Sequence, residues 1–175
     1  ALKLTEILLD AGLPAEGIQC ITGSGGVIGD AVVSHPAVRK VTFTGSQEVG
    51  EHIMRTAGLK KVTMELGSNS PLIIMEDADL EKVAEATVAN AYANAGQACI
   101  STQRIYVAQS AYGDYLDALA PKVEALTSGD PMGESIKVGP MVRESDAIRV
   151  ESWIQEAIGA GARVVAGGER DGAVM

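Results

Sequence analysis

The chain has 175 residues, with 23 Asp and Glu against 14 Lys and Arg, and a formal net charge of −9 at pH 7. This negative charge repels polyanions, so it disfavours binding to nucleic acid or to an anionic membrane surface. Cys20 and Cys99 provide no disulfide framework, and no apolar run approaches the roughly 18 residues that a membrane span requires. We therefore expect a protein of the cytoplasm that binds neither nucleic acid nor membrane.

The first third of the chain alternates helical and strand patterns. A helix is predicted before Gly12 and Pro14, because apolar residues recur there at helical spacing: Leu4, Ile7, Leu8 and Ala11. The apolar stretch 18–21 predicts a strand. The glycine-rich stretch 23–29 then leads into a helix that ends near Pro36.

Two further predicted strands flank a capped helix. A strand around Phe43 ends at Gly45, and Ser46 is well placed to cap a helix from residue 47 to about residue 57. Residues 61–65 predict the next strand. Strands that alternate with helices at this spacing imply parallel pairing, as in nucleotide-binding α/β sheets. The predicted fold class is therefore α/β, with a parallel-sheet (Rossmann-like) three-layer architecture.

A second set of elements begins at Pro71. A strand is predicted at 72–75, and the acidic turn 76–79 opens a long helix through Asn94. Acidic residues before an apolar periodic run are typical of helix caps rather than of catalytic carboxylates, so Asp77 or Asp79 is the predicted N-cap. The remaining predicted elements are a strand at 103–107, helices at 110–126 and 145–160, and a strand at 163–165.

Several conspicuous residues are expected to have structural roles. Trp153 is predicted to be an apolar anchor of its helix, and Cys20 an inert residue of a buried strand. His35 and His52 belong to different elements and form no cluster with ligand spacing, so we predict no metal site. The glycine-rich stretch misses the dinucleotide fingerprint by one position, because Ile28 stands where the third glycine should be.

Cys99 and Glu65 are the residues best suited to covalent chemistry. A thiol has a pKa of about 8.5, and its thiolate is a strong nucleophile toward an aldehyde carbon. A carboxylate can take a proton from the water that hydrolyses the resulting thioester. Main-chain N–H groups at Gly96, Ala98 and Cys99 fit the need for oxyanion donors. Composition alone, however, favours reading Cys99 as a small buried hydrophobic residue.

Four sequence runs carry a resemblance to a known family. They are VTFTGSQEVG (residues 41–50), MELGSNSPLII (64–74), EDADLEKV (76–83) and NAGQACISTQRIYV (94–107). In this order and at this spacing, they resemble consecutive motifs of the aldehyde dehydrogenase superfamily. The resemblance implies an NAD- or NADP-dependent enzyme that oxidises an aldehyde to a carboxylic acid, with Cys99 as nucleophile and Glu65 as general base.

The resemblance also implies a cofactor site. In the family a glycine-serine pair lies at a helix start beneath the cofactor pyrophosphate, and this pair corresponds to Gly45 and Ser46. The other residues expected to contact the cofactor are Val49, Gly29, Leu66 and Gly67. Ser68 departs from the glycine that is commoner at its position in the family.

The domain organisation expected from the resemblance is that of an internal segment of a longer enzyme. Residues 1–67 would be the C-terminal part of the NAD(P)-binding domain, and residues 68–175 the N-terminal part of the catalytic domain. The full-length protein would bind a small-molecule aldehyde and form a homodimer or homotetramer. Two alternatives stay open, namely a catalytically silent structural fragment and a cofactor-independent, esterase-like acyl transfer at the thiol.

Overall fold

A computed structural model describes residues 1–175, which divide into two compact units, Ala1–Leu66 and Gly67–Met175. Each unit combines helices with a parallel pair of strands, which confirms the predicted α/β class. None of the helices is both long enough and apolar enough to cross a membrane.

The first unit is built around the parallel strands β1 and β2. Its elements are α1 (Leu2–Asp10), a 3₁₀ turn (Ala15–Gly17), α2 (Gly25–Ser34), β1 (Lys40–Gly45), α3 (Gln47–Ala57) and β2 (Lys61–Leu66). The strand register runs from Lys40 opposite Lys61 to Gly45 opposite Leu66. The predicted strand–helix–strand unit with parallel pairing is therefore confirmed.

The core of the first unit joins α2 and α3 to the strands. Its buried residues are Val33, Ile53 and Ala57, and half-buried side chains of the strands pack against them: Val41, Phe43, Val62 and Met64. These strand residues alternate along β1 and β2, so they share one face of the strand pair. Removal of this apolar surface from water is what stabilises the packing of the helices on that face.

The second unit has its own strands and core. Its elements are β3 (Pro71–Ile74), α4 (Leu80–Ala91), a 3₁₀ turn (Ala93–Gly96), β4 (Arg104–Val107), α5 (Tyr112–Glu124) and α6 (Glu144–Gly159). β3 and β4 are parallel, from Pro71 opposite Arg104 to Ile74 opposite Val107. Ile74, Ala84 and Tyr115 are buried at the centre. The Tyr115 hydroxyl lies 2.9 Å from Thr87 Oγ1, so this polar group keeps a partner inside the core.

Side-chain caps begin α3 and α4 as predicted. Ser46 Oγ accepts a hydrogen bond from the Val49 N–H at 3.3 Å, and Asp79 Oδ1 accepts one from the Lys82 N–H at 3.3 Å. Asp79 Oδ2 also lies 2.6 Å from Lys82 Nζ. The hydrogen bonds from Lys82 lower the pKa of the Asp79 carboxyl. The cap of α4 therefore consists of a charged carboxylate held by its own first turn.

The strands predicted at residues 18–21 and 163–165 are not formed, so both predictions are wrong. Residues 18–21 and 163–165 pair with no other strand. The backbone at Ile18 is extended (φ −149°, ψ 133°), but extended backbone becomes a strand only where a neighbouring strand bonds its N–H and C=O groups. Cys20, predicted to lie in a buried strand, is half-buried and outside any strand.

Two predictions in the second unit also need correction. The helix predicted to run through Asn94 ends at Ala91, because Asn94 and Ala95 adopt left-handed φ values of 52° and 55°. Trp153, predicted to be an apolar anchor, is 58% exposed. The Arg149 guanidinium carbon lies 5.4 Å from the centroid of its ring, so this indole packs on a cation at the surface.

Candidate active site

Most of the predicted site residues lie at the carboxyl ends of β1 and β2. Thr44 is opposite Glu65, and Gly45 is opposite Leu66. The Glu65 residue is exposed, whereas Leu66 is half-buried. Because parallel strands end at the same edge of a sheet, Glu65 and the Gly45–Ser46 pair share one edge of the first unit.

Close packing requires glycine at two positions near this edge. A Cβ atom on Gly45 would collide with the Phe43 ring, which lies over the end of β1. A Cβ atom on Gly50 would lie 2.8 Å from Leu66 Cδ2, so the Leu66 side chain packs directly against the backbone of α3. The start of α3 is therefore held firmly beside the strand that carries Glu65.

The start of α3 also has the character of an anion site. Gly45 and Ser46 are exposed, as is Val49 in the first turn. N–H groups of a first helical turn have no partner within the helix, and the helix dipole favours negative charge there. Ser46 Oγ already accepts from the Val49 N–H, so the N–H groups of Gln47 and Glu48 are the ones that α3 offers to an anion.

Gly29 lies in α2, which packs beside α3 in the first unit. The two helices are joined at their surface by His52 and Asp30, whose Nε2 and Oδ1 atoms are 2.7 Å apart. Gly29 is half-buried, and a Cβ atom built on it would meet nothing within 4 Å. The space beside its Cα is therefore open.

Cys99 lies at the exposed corner of a tight turn in the second unit. This thiol turn spans residues 98–101 and is closed by the Ser101 N–H, which donates to Ala98 O at 3.0 Å. Cys99 is exposed and its neighbour Ile100 is 78% exposed, while Ser101 is buried. The alternative of a small buried hydrophobic residue is therefore wrong for Cys99.

Strained backbone leads into this turn. Asn94, Ala95 and Gly96 have consecutive positive φ values of 52°, 55° and 71°. A left-handed conformation costs a non-glycine residue roughly 1–2 kcal/mol, so it persists only where surrounding bonds enforce it. Here the Ala95 N–H donates to Tyr92 O at 3.1 Å, and the Gln97 N–H donates to Asn94 O at 3.1 Å. The chain thus turns sharply from α4 toward the thiol.

Gln97 anchors the thiol turn to a distant loop, which sequence reasoning did not foresee. Its Oε1 accepts a hydrogen bond from the Val142 N–H at 2.9 Å. Its Nε2 donates to Asn94 O at 3.1 Å and lies 3.5 Å from Pro140 O. An amide carries both a donor and an acceptor, so one side chain can hold two backbone segments together. The only available signal was an amide two residues before the cysteine.

Ser68 also contacts the thiol turn, although the sequence identified it only as a departure from a commoner glycine. Its hydroxyl donates to the backbone oxygen of Cys99 at 2.5 Å, and its Oγ lies 2.7 Å from Ser70 Oγ. Between these serines, Asn69 O accepts hydrogen bonds from Nε and Nη2 of Arg104 at 3.1 and 2.9 Å. Residues 68–70 are therefore fixed against the segment that carries Cys99.

The site residues divide between the units. Gly45, Ser46, Val49, Gly29, Glu65 and Leu66 belong to the first unit, and Gly67 and Cys99 to the second. Gly67 is exposed, with nothing within 4 Å of a Cβ atom built on it. No group of three or more His, Cys, Asp or Glu side chains is arranged to hold a metal ion.

Comparison with known proteins decides the family. The profile of the aldehyde dehydrogenase family matches residues 1–175. The chain belongs to the aldehyde dehydrogenase family. This finding confirms the resemblance carried by the four sequence runs, and solved aldehyde dehydrogenases share its fold.

Individual relatives show what share of a family member's length this chain covers. The chain is 48% identical over 173 residues to the 3-sulfolactaldehyde dehydrogenase of Priestia aryabhattai, and it covers 36% of that protein with 99% of its own length. It is 40% identical over 171 residues to the NADP(+) succinate-semialdehyde dehydrogenase of Escherichia coli, with 97% of this chain and 36% of the relative covered. The chain thus spans about a third of the length of these curated relatives.

A solved structure matches the same extent. The NADP-dependent glyceraldehyde-3-phosphate dehydrogenase of Bacillus halodurans, solved in complex with NADP, superposes with a TM-score of 0.95 at 36% identity. The match covers 99% of this chain and 36% of that one. The local architecture described above is therefore that of an aldehyde dehydrogenase.

Proposed function

We propose that the complete protein containing this chain oxidises a small-molecule aldehyde to a carboxylic acid with NAD or NADP. The observation that carries the proposal is that Cys99 is exposed on an anchored turn, which follows strained backbone, in a chain that belongs to the aldehyde dehydrogenase family. An exposed thiol can reach a substrate carbonyl. A turn held by several hydrogen bonds presents it in a defined position.

In the proposed first step, the Cys99 thiolate adds to the aldehyde carbon. A carbon–sulfur bond forms, and the carbonyl electron pair moves onto oxygen to give a thiohemiacetal alkoxide. The backbone N–H groups of Ala98 and Cys99 in the thiol turn, and that of Gly96 just before it, are candidates to stabilise this oxyanion. Bound nicotinamide would serve as the hydride acceptor for the oxidation. The acyl group then remains on Cys99 as a thioester.

In the proposed second step, Glu65 acts as general base. Its carboxylate removes a proton from a water molecule, whose oxygen adds to the thioester carbon. The carbon–sulfur bond then breaks, the carboxylic acid leaves, and Cys99 regains its thiolate. The exposure of Glu65 supports this role, because a base for hydrolysis must be reached by water.

The residues at the start of α3 fit the cofactor. Gly45 and Ser46 are exposed there, and the first-turn N–H groups would bind the pyrophosphate of NAD or NADP. Gly29 and Val49 would border the adenosine portion. Leu66 and Gly67 would lie near the nicotinamide. The open space beside the Gly29 Cα supports its assignment.

The organisation of the complete protein follows from the same proposal. Residues 1–67 would belong to the NAD(P)-binding domain and residues 68–175 to the catalytic domain. The protein would act in the cytoplasm as a homodimer or homotetramer. Size-exclusion chromatography with light scattering of the complete protein tests the assembly, and a monomer would refute it.

Burst kinetics of NAD(P)H formation test the catalytic roles in the complete protein. Cys99→Ala should abolish both the burst and steady-state turnover. Glu65→Gln should retain the burst and block turnover, because the thioester forms but is not hydrolysed. Cys20→Ser is the matched control and should behave as the wild type. Undiminished dehydrogenase activity in Cys99→Ala would refute the proposal.

The exposure of Cys99 also favours a second, cofactor-independent activity. A thiol open to solvent can accept an acyl group from an activated ester and release it to water. Hydrolysis of p-nitrophenyl acetate without cofactor should be lost in Cys99→Ser and retained in Cys20→Ser. Equal rates in both variants would exclude Cys99 as the esterase nucleophile.

A further inference from the structure

Ser68 and Ser70 form a directed chain of hydroxyl groups toward the turn that bears Cys99. The Cys99 carbonyl can only accept a hydrogen bond, so the single hydroxyl proton of Ser68 is committed to it. Ser68 Oγ can then only accept from Ser70 Oγ, 2.7 Å away. The order of donation is therefore Ser70 to Ser68 to Cys99, and in such a chain each bond polarises the next.

The carbonyl at the end of this chain belongs to the central peptide of the thiol turn. In the turn spanning residues 98–101, Cys99 and Ile100 are the two corner residues. The two commonest turn types differ by a rotation of the central peptide, which moves ψ of the first corner residue and φ of the second. A hydrogen bond to the Cys99 oxygen therefore selects one orientation of that peptide.

The segment that delivers the hydroxyl is itself fixed. Ser70 O accepts hydrogen bonds from the N–H groups of Gln103 and Arg104 at 3.1 and 3.2 Å. The Arg104 guanidinium donates hydrogen bonds to Asn69 O from two nitrogen atoms. A donor mounted on an anchored segment loses little further conformational entropy when its hydrogen bond forms.

We propose that Ser68 is a positioning residue for the nucleophile: its hydroxyl, oriented by Ser70, holds the Cys99–Ile100 peptide in one orientation and so fixes where the thiol is presented. This inference rests on the proposed function of Cys99. A glycine at this position would have no side chain that could make this contact.

The first test compares Ser68→Gly, Ser68→Ala and Ser68→Thr in the complete protein. The rate of the hydride burst should fall about two- to tenfold in the Gly and Ala variants, the rate equivalent of one hydrogen bond. The KM for the cofactor should stay unchanged, and Thr should restore the rate because it keeps the hydroxyl. Ser70→Ala should have a smaller effect, because it leaves the Ser68 bond in place. Wild-type burst rates in both Gly and Ala variants would overturn the inference.

The second test does not depend on dehydrogenase activity. Alkylation by iodoacetamide is followed by mass spectrometry at Cys99 and, as an internal control, at Cys20. Ser68→Gly should slow alkylation of Cys99 by at least about twofold and leave Cys20 unchanged. Equal slowing at both cysteines would overturn the inference, because it indicates a general effect on the fold. Full turnover in Cys99→Ala would instead refute the proposed function, whatever the alkylation rates.

Discussion

Arg104 donates from both Nε and Nη2 to the backbone oxygen of Asn69, at 3.1 and 2.9 Å. The same guanidinium donates from Nη1 to the Tyr106 hydroxyl at 3.0 Å, and its central carbon lies 5.7 Å from the centroid of that ring. The planar fork of arginine presents these donors in fixed directions. One side chain at the start of β4 thus holds the segment that precedes β3.

Loss of the two hydrogen bonds from Arg104 to Asn69 O should weaken a neighbouring hydrogen bond, which the Gln103 N–H donates to Ser70 O. In Arg104→Ala, amide hydrogen exchange at Gln103 should accelerate about fivefold, the equivalent of roughly one hydrogen bond. Arg104→Lys should give most of this effect, because an ammonium cannot make the paired contact. Arg149→Ala removes an exposed arginine that packs on Trp153 and is the control. Unchanged Gln103 exchange in Arg104→Ala would contradict this role.

Ala95 offers a test of the backbone strain before Cys99. Its φ of 55° is easy for glycine and unfavourable for alanine, so Ala95→Gly should stabilise the complete protein by about 1 kcal/mol. Ala89→Gly, at an exposed site within α4, should destabilise it by roughly 0.5–1 kcal/mol. Urea unfolding measures both changes. Destabilisation of the same size in both variants would show that residue 95 carries no relievable strain.

The cap of α4 should make stability depend on acid pH. The pKa of Asp79 is lowered in the folded state by the hydrogen bonds from Lys82, so folding favours the carboxylate. Its contribution is therefore complete above the ordinary aspartate pKa of about 3.9 and is lost as pH falls through the lowered value. The unfolding midpoint of Asp79→Asn should lie below that of the wild type at pH 7, and the difference should vanish in strong acid.

A nearby acid provides the control for the cap. Asp77→Asn changes a residue of the same acidic turn that is not the N-cap, so it should lower the midpoint at pH 7 much less. A difference between wild type and Asp79→Asn that stays constant from pH 7 to strong acid would contradict the role of the Asp79 charge.

The substitution Gly29→Ala should raise the stability of the protein and weaken its binding of the cofactor. Gly29 lies inside α2 with open space beside its Cα, so Gly29→Ala should stabilise the complete protein by roughly 0.5–1 kcal/mol. If Gly29 borders the adenosine, the added methyl should also raise the Kd for the cofactor about three- to tenfold. Gly159→Ala, at an equally open position of α6, should leave the Kd unchanged. Titration calorimetry with NAD and NADP measures the Kd of each variant. An unchanged Kd in Gly29→Ala would remove Gly29 from the proposed site.

Features set by local interactions were predictable from the sequence. Ser46 and Asp79 cap helices through bonds to N–H groups three residues away, and the alternation of strands and helices follows from apolar periodicity. Residues 18–21 and 163–165 have apolar patterns too, but a strand requires a partner that no local pattern specifies. The exposure of Trp153 likewise depends on what packs around its helix.

The candidate site could be predicted from the sequence only in part. The motif runs identified Cys99 and Glu65 as candidates, and whether both act on one substrate stays a prediction. The contact between Ser68 and Cys99 joins residues 31 positions apart, and Gln97 reaches Val142 across 45 positions. Such contacts depend on how loops meet after folding. They cannot be read from the spacing of residue types along the chain.

The central claim is that Cys99 carries the acyl group and Glu65 releases it to water. The most direct measurement is mass spectrometry of the complete Glu65→Gln protein, quenched after one turnover with an aldehyde and NAD or NADP. We predict that the peptide containing Cys99 carries the mass of the acyl group in stoichiometric amount, and that the wild type shows little of it. An unmodified Cys99 peptide after a full hydride burst would contradict the account.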